Sequence, residues 1–181
     1  MILSMETEHL ILRKARKEDL ESIWNNVWKW DFLADMMLWT PNPTLEDAEK
    51  KMERTIFMQQ NNYAYFICLK ENDEAIGFVG IKETEEKGVY EDCGLCISHF
   101  YQKRGFGKEV LGAIQKLIFE QLDGKVFYYT CMIQNEPSRK LCLSQGFVYS
   151  DRQDGVRERD GLHYQNDRYK MTREMYFEGK H

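Results

Sequence analysis

The stretch from residue 89 to residue 122 constrains this chain more than any other. A β-rich run over 89–98 ends in a short basic glycine loop, Gln102-Lys103-Arg104-Gly105-Phe106-Gly107-Lys108, and a long helical pattern follows at once. Phe106, Val110, Ala113, Ile114, Leu117 and Ile118 recur at the spacing of one helix face, and Asp123-Gly124 stops the pattern. A strand that feeds a helix with one apolar face must lay that face on a sheet, so a layered α/β protein is predicted. The loop has a chemical consequence too. The first N–H groups of a helix lack intrahelical acceptors, and together with the helix dipole they attract anions. Gly105 and Gly107 let a phosphate approach the main chain, and Lys103, Arg104 and Lys108 add positive charge.

Further strands are predicted over 9–13, 63–69, 75–82, 126–133, 147–152 and 164–172, and further helices over 17–29, 44–60 and 135–145. Thr44 is the expected N-cap of the second helix, with Glu46 and Asp47 in its first turn. The order β-α-α-β-β-β-α-β-α-β-β is mixed, unlike the strict alternation of a dinucleotide fold. Two familiar phosphate loops are excluded. A Walker loop needs Ser or Thr after Gly-Lys, where Glu109 stands, and a Rossmann loop needs a third glycine where Val110 stands.

Composition narrows the partners. The chain has 181 residues, which suits a single domain over 1–181 with a core that needs no disulfide or metal. Its formal net charge of −5 argues against nucleic-acid and anionic-membrane binding, and no apolar run is long enough to span a bilayer. The five cysteines (Cys68, Cys93, Cys96, Cys131, Cys142) are an odd number within apolar segments, so reduced, buried thiols in a cytoplasmic protein are expected. Cys93-Gly94-Leu95-Cys96 has the C-x-x-C form, but it lies inside a strand where the two thiols face opposite sides. His9, His99, His163 and His181 are scattered, so no metal site is expected.

Two blocks carry a resemblance. Gln102-Lys103-Arg104-Gly105-Phe106-Gly107 is similar to the acyl-CoA loop of the GCN5-related N-acetyltransferases, and Asn135-Glu136-Pro137-Ser138-Arg139-Lys140-Leu141 followed by Gly146-Phe147 is similar to that family's second signature. The start, residues 7–19, also looks like the family's first strand and helix entry. The end, Arg157-Glu158-Arg159-Asp160-Gly161-Leu162-His163-Tyr164, resembles the branch that acetylates the N-termini of ribosomal proteins. The resemblance covers nearly the whole chain. It implies a mostly antiparallel central sheet of about seven strands flanked by about four helices.

It also implies direct transfer from acetyl-CoA to a primary amine, either a protein N-terminus or a small molecule such as a polyamine, by a monomer or homodimer. By the same resemblance Leu95, Cys96 and Ile97 supply main-chain partners for pantetheine, with the Leu95 N–H as donor to the acetyl oxygen. Residues Gln102 to Lys108 bind the pyrophosphate, and Asn135 and Ser138 lie near the pantetheine and the sulfur. Glu91, which shares strand parity with Leu95 and Ile97, and Glu158 are the candidate bases, with a water relay as a third option. Asp92 is expected to face the other side of the sheet. Many relatives carry a tyrosine acid where this chain has Cys142, which leaves Ser138 as the remaining hydroxyl of that block. A noncatalytic acyl-CoA-binding sensor is the rival reading. Trp24 and Trp28 read as core, whereas Trp30, Phe32 and Met36 lack clean periodicity and suit an acceptor wall or a dimer surface.

Overall fold

The computed structural model describes residues 2–37 and 39–179, so His181 lies outside the described residues. Eight strands order as β1-β2-β3-β4-β5-β6-β8-β7. Two compact units share them: residues up to Ile81 together with Cys93–Val110, and Lys82–Asp92 together with Leu111 onward.

The first unit begins with β1 (Ser4–Glu6), β2 (Leu10–Arg13), β3 (Tyr63–Leu69) and β4 (Ala75–Glu83), all antiparallel within the unit. The expected first helix is a composite: a 3-10 turn over Lys17–Asp19, then α1 (Leu20–Ile23), then a π-helical stretch over Trp24–Trp28. A shorter helix, α2 (Asp31–Met37), and the long α3 (Leu45–Gln60) follow. Thr44 caps α3 as expected, its hydroxyl accepting the Asp47 N–H at 3.2 Å. The core forms where Ile23, Val27, Trp28, Ala48 and Met52 of the helical segments meet Phe66, Cys68 and Cys96 of the strands. Trp28 sets its ring edge-on to Phe66 at 5.9 Å, so Trp24 and Trp28 do belong to the packed face.

A buried ion cluster pins the edge of this unit. The Arg13 guanidinium donates to both carboxylate oxygens of Asp19 at 2.8 and 2.7 Å and to Asp73 at 2.7 Å. A charge taken out of water needs such complete pairing, and Asp19 also accepts the Arg16 N–H at 2.7 Å.

The second unit is built on β6 (Val126–Met132), which runs parallel to the first residues of β5 (Val89–Ile97) in the register Val89↔Val126 to Glu91↔Tyr128. On its other side β6 pairs antiparallel with β8 (His163–Thr172), and β8 pairs with β7 (Val148–Val156). Helix α4 (Phe106–Lys116) extends through a π-helical turn over Leu117–Gln121, and Val110, Ile114, Leu117 and Ile118 along it are fully buried. Helix α5 (Glu136–Ser144) follows β6, and α6 (Arg173–Glu178) ends the described chain, with Tyr176 stacked on Phe119 at 5.0 Å. The structure therefore adds one strand, β1, and two helices, α2 and α6, to the sequence expectation. Each is too short to show a periodicity.

Candidate functional site

In the first unit the site grows from the second half of β5. Gly94 has φ +112°, a left-handed value that interrupts the strand's alternation, and a Cβ there would lie 2.7 Å from Met37 Cε. Beyond it Leu95 is half-buried, Cys96 and Ile97 are buried, and the Ser98 N–H donates to the Ile76 carbonyl at 2.8 Å. A 3-10 turn over His99–Tyr101 then turns the chain into the basic loop.

The loop is held from behind and open in front. Gln102 Nε2 donates back to the Ile97 carbonyl at 3.2 Å, which ties the motif to the strand end. Phe106 is buried as the anchor, 6.1 Å from the His9 ring. Lys103 and Gly105 take φ values of +63° and +84°, and a Cβ on Gly105 would meet nothing within 4 Å. Left-handed residues in such a turn swing successive N–H groups into an anion-binding concavity. The Gly105 carbonyl accepts the N–H groups of Lys108 and Glu109, which leaves the earlier N–H groups of α4 to an outside acceptor. Gln102, Lys103, Arg104 and Lys108 are exposed, and none of the three cations has a carboxylate partner among the described residues.

Glu109 stands in the first turn of α4, and its carboxylate is already engaged. Its carboxylate accepts the Thr7 hydroxyl at 2.6 Å and the His9 N–H at 3.0 Å, and it lies 2.8 Å from the His9 ring Nδ1. The hydrogen bond to Glu109 in turn raises the pKa of His9 above its ordinary value. Nothing in the local sequence signals this contact, which spans about a hundred residues.

Trp30, Phe32, His99 and Phe100 form an aromatic group beside the same strand end, with Trp30 4.9 Å from His99 and Phe32 5.1 Å from it. Phe32 is 49% and Phe100 54% exposed, so this group opens to solvent, unlike Trp28.

In the second unit Asn135 caps α5, its side chain accepting the Ser138 N–H at 3.2 Å. Ser138 Oγ lies 2.8 Å from the Tyr129 hydroxyl, a partner that the sequence did not single out. Tyr129 is buried on β6. Burial and then the charge of Asp92 push its phenol well above the usual tyrosine range. Asp92 Oδ1 accepts the Thr130 N–H at 2.8 Å, which holds its charge near Tyr129. Phe127, Tyr129 and Cys131 are buried in alternation along β6, but the strand is apolar or aromatic almost throughout, so its sequence did not single out Tyr129. Cys142 is buried, and burial pushes its thiol up to about 12. Glu91 pairs with Lys82 across the β4–β5 hairpin at 2.8 Å, and Glu158 is exposed in the turn after β7.

The expectation that every cysteine is buried is corrected at Cys93, which is exposed because the centre of β5 is not covered there. Among the described residues no group of three or more His, Cys, Asp or Glu side chains could hold a metal, and no helix is long and apolar enough to cross a membrane.

A family model described as an acetyltransferase (GNAT) domain matches residues 9–148. The chain belongs to the GNAT acetyltransferase family. Within that family it is similar to the ribosomal-protein-serine acetyltransferase of Escherichia coli strain K12, 22% identical over 57% of this chain and 58% of that relative. Among solved structures it is similar to the ribosomal-protein-S5-alanine acetyltransferase of Vibrio fischeri (TM-score 0.74, 17% identity, 95% of this chain and 97% of that one). It is also similar to the spermidine N-acetyltransferase of Vibrio cholerae solved with CoA and spermine (TM-score 0.75, 18% identity, 93% and 98%). At these identities the two structures establish the GNAT fold and nothing finer.

Proposed function

We propose that the whole chain is one cytoplasmic N-acetyltransferase domain that moves an acetyl group from acetyl-CoA to a primary amine by direct transfer in a ternary complex. The observation that carries this reading is the Gln102–Lys108 loop: a GNAT-family turn with open backbone at Gly105 and three cations that have no carboxylate partner among the described residues. Acetyl-CoA supplies an activated acyl carbon, and the chain's groups supply the rest.

The Leu95 N–H donates to the acetyl oxygen as it gains negative charge. Leu95, Cys96 and Ile97 offer main chain to the pantetheine, and the loop takes the pyrophosphate. An amine with a pKa of about 8 to 10 is largely protonated at neutral pH and needs a base. Glu91 and Glu158 are the proposed bases, through water, and for Glu158 its exposure supports access to bulk water. The departing thiolate needs a stabilising hydrogen bond until solvent protonates it, and the paired hydroxyls of Ser138 and Tyr129 are the proposed donors. Asn135 fixes the turn that presents Ser138.

Acetyl-CoA should raise the melting temperature while ATP does not, and free thiol should appear when acetyl-CoA meets a suitable amine. Equal or absent thermal shifts would sink the assignment. The rival, a noncatalytic acyl-CoA-binding module, is favoured by the engagement of Glu91 with Lys82. A thermal shift without thiol release, across N-terminal peptides and small amines, would select it. The relatives named for ribosomal proteins and for spermidine make both acceptor classes the first to screen.

A further inference from the structure

Helix α3 carries two cations three residues apart, Lys51 and Arg54. Lys51 is half-buried, with its Nζ 4.0 Å from the centre of the Trp39 ring and 4.8 Å from that of Trp28. Its ionisable neighbours are Cys96, on the strand assigned above to the acyl donor, and Arg54. Among the described residues neither Lys51 nor Arg54 has a carboxylate partner, whereas the adjacent Lys50 pairs with Glu46 at 2.8 Å. A lysine led into aromatic surroundings, beside a second cation and without an anion, loses hydration that the ring faces restore only in part. Burial, with the charge of Arg54 adding to it, accordingly pushes the Lys51 ammonium down to about 8. A fold that keeps such a charge in a chain of net charge −5 has not simply run short of acids.

We infer that Lys51, backed by Arg54, is an anion-recognition site for the acceptor, and that the acceptor amine itself bears a carboxylate or phosphate group. This rests on the acetyltransferase reading and deepens it. The anion is assigned to the acceptor and not to the cofactor for two reasons. The pyrophosphate has its own cationic loop at Lys103, Arg104 and Lys108, and the side chains against Lys51 are aromatic: Trp28 and Trp39, the latter set edge-on to Phe78. Aromatic walls around Lys51, with Arg54 behind it, suit a small amphiphilic amine with one anionic end. A polyamine, all cation, would meet repulsion here.

The test uses matched acceptors. Methionine, methioninamide and 3-(methylthio)propylamine share a primary amine and a side chain, and carry a carboxylate, a neutral amide and hydrogen respectively. O-phosphoethanolamine and ethanolamine form the phosphate pair. Thiol release gives KM and kcat for each, and tryptophan fluorescence gives binding, because Trp28 and Trp39 flank the ammonium. The expected result is that an anionic member is bound about tenfold or more tightly than its neutral partner, the worth of a charged hydrogen bond. Whether the carboxylate or the phosphate member shows it identifies the source. Lys51→Met should erase the preference through KM and leave the KM for acetyl-CoA unchanged. Lys51→Arg should restore part of it, and Lys50→Met should change nothing. Because Lys51→Met removes a desolvated charge, it should melt no lower than the parent. If neutral members bind as well in both series, or if Lys51→Met keeps the preference, Lys51 is a structural cation and the inference is overturned. If acetyl-CoA gives no thermal shift and no thiol is released, the acetyltransferase reading falls. The fluorescence comparison then still decides whether Lys51 selects anions.

Discussion

Replacing Gly105 by alanine tests the loop on which the functional reading rests. Gly105 sits at φ +84°, and a Cβ there would meet nothing within 4 Å. The substitution therefore introduces no clash, and its whole effect is conformational. An L-residue held in the left-handed region costs about 1–2 kcal/mol. That energy can appear in only two places. If the loop keeps its shape, the fold bears the cost, and at about 2–4 °C per kcal/mol for a chain of this size the melting temperature drops by about 2–8 °C. If the loop relaxes to negative φ, the N–H groups at the start of α4 turn away from their acceptor. Acetyl-CoA binding then weakens by a similar free energy, about 5- to 30-fold in Kd. Calorimetry of the apo protein and titration with acetyl-CoA measure the two. Gly112→Ala is the control: Gly112 lies inside α4, its added Cβ would come no closer than 3.8 Å to Gln145, and removing glycine from a helix interior should stabilise by about 0.5–1 kcal/mol. If Gly105→Ala matches the parent in both melting temperature and Kd, the left-handed turn is not what the loop needs and the argument fails.

Three further outcomes follow from the geometry. Asp19→Ala leaves the buried Arg13 guanidinium with Asp73 alone and should cost about 3–5 kcal/mol in urea denaturation, and a loss under about 1 kcal/mol would show that the pair is dispensable. His9, raised by its hydrogen bond to Glu109, should titrate above 6.5 by NMR and return toward that value in Glu109→Gln. Because the folded value is the raised one, the His9–Glu109 contribution is full below 6.5 and fades as pH climbs through the folded pKa. Burial raises Cys68, Cys96 and Cys142 to about 12 and Cys131 to about 11, so native protein at pH 8 should show one fast thiol, Cys93, and all five only in denaturant. A second fast thiol in the native protein would contradict this burial. Thiol-release assays are best run on Cys93→Ser.

What could be read in advance divides along physical lines. Helices α3 and α4 were legible because a long apolar period and a capping threonine are local signals, and the basic loop was legible because glycine and charge act at adjacent positions. Helix α2 was not, since only Leu33 and Ala34 are buried along it. On β5 the left-handed Gly94 is a backbone feature that the apolar pattern of the strand does not announce. Contacts that close across the sequence were out of reach. Ser138 could be named from its block, but its hydroxyl partner Tyr129 comes from another element, as does the Asp92 charge that acts on Tyr129.

The same distinction decides how charge should be used. A net charge of −5 suits a cationic acceptor only if the acids are available to it. In the first unit several are already spent: Asp19 and Asp73 on Arg13, and Glu109 on Thr7 and His9. Among the described residues of that unit Lys14, Lys17 and Lys29 have no carboxylate partner, and neither do Lys51 and Arg54 on α3 or Lys103, Arg104 and Lys108 around the glycine turn; the last two sets lie beside the elements assigned to acceptor and cofactor. Electrostatic energy falls with distance and is screened within about 10 Å at ordinary salt, so the nearest unpaired charges outweigh the formal total. The whole-chain charge suits a cationic acceptor of either kind, peptide or polyamine, whereas the charges a bound acceptor would meet point toward an amine carrying its own anion. Because a polyamine and an anionic amine respond in opposite directions to Lys51→Met, one competition experiment separates them.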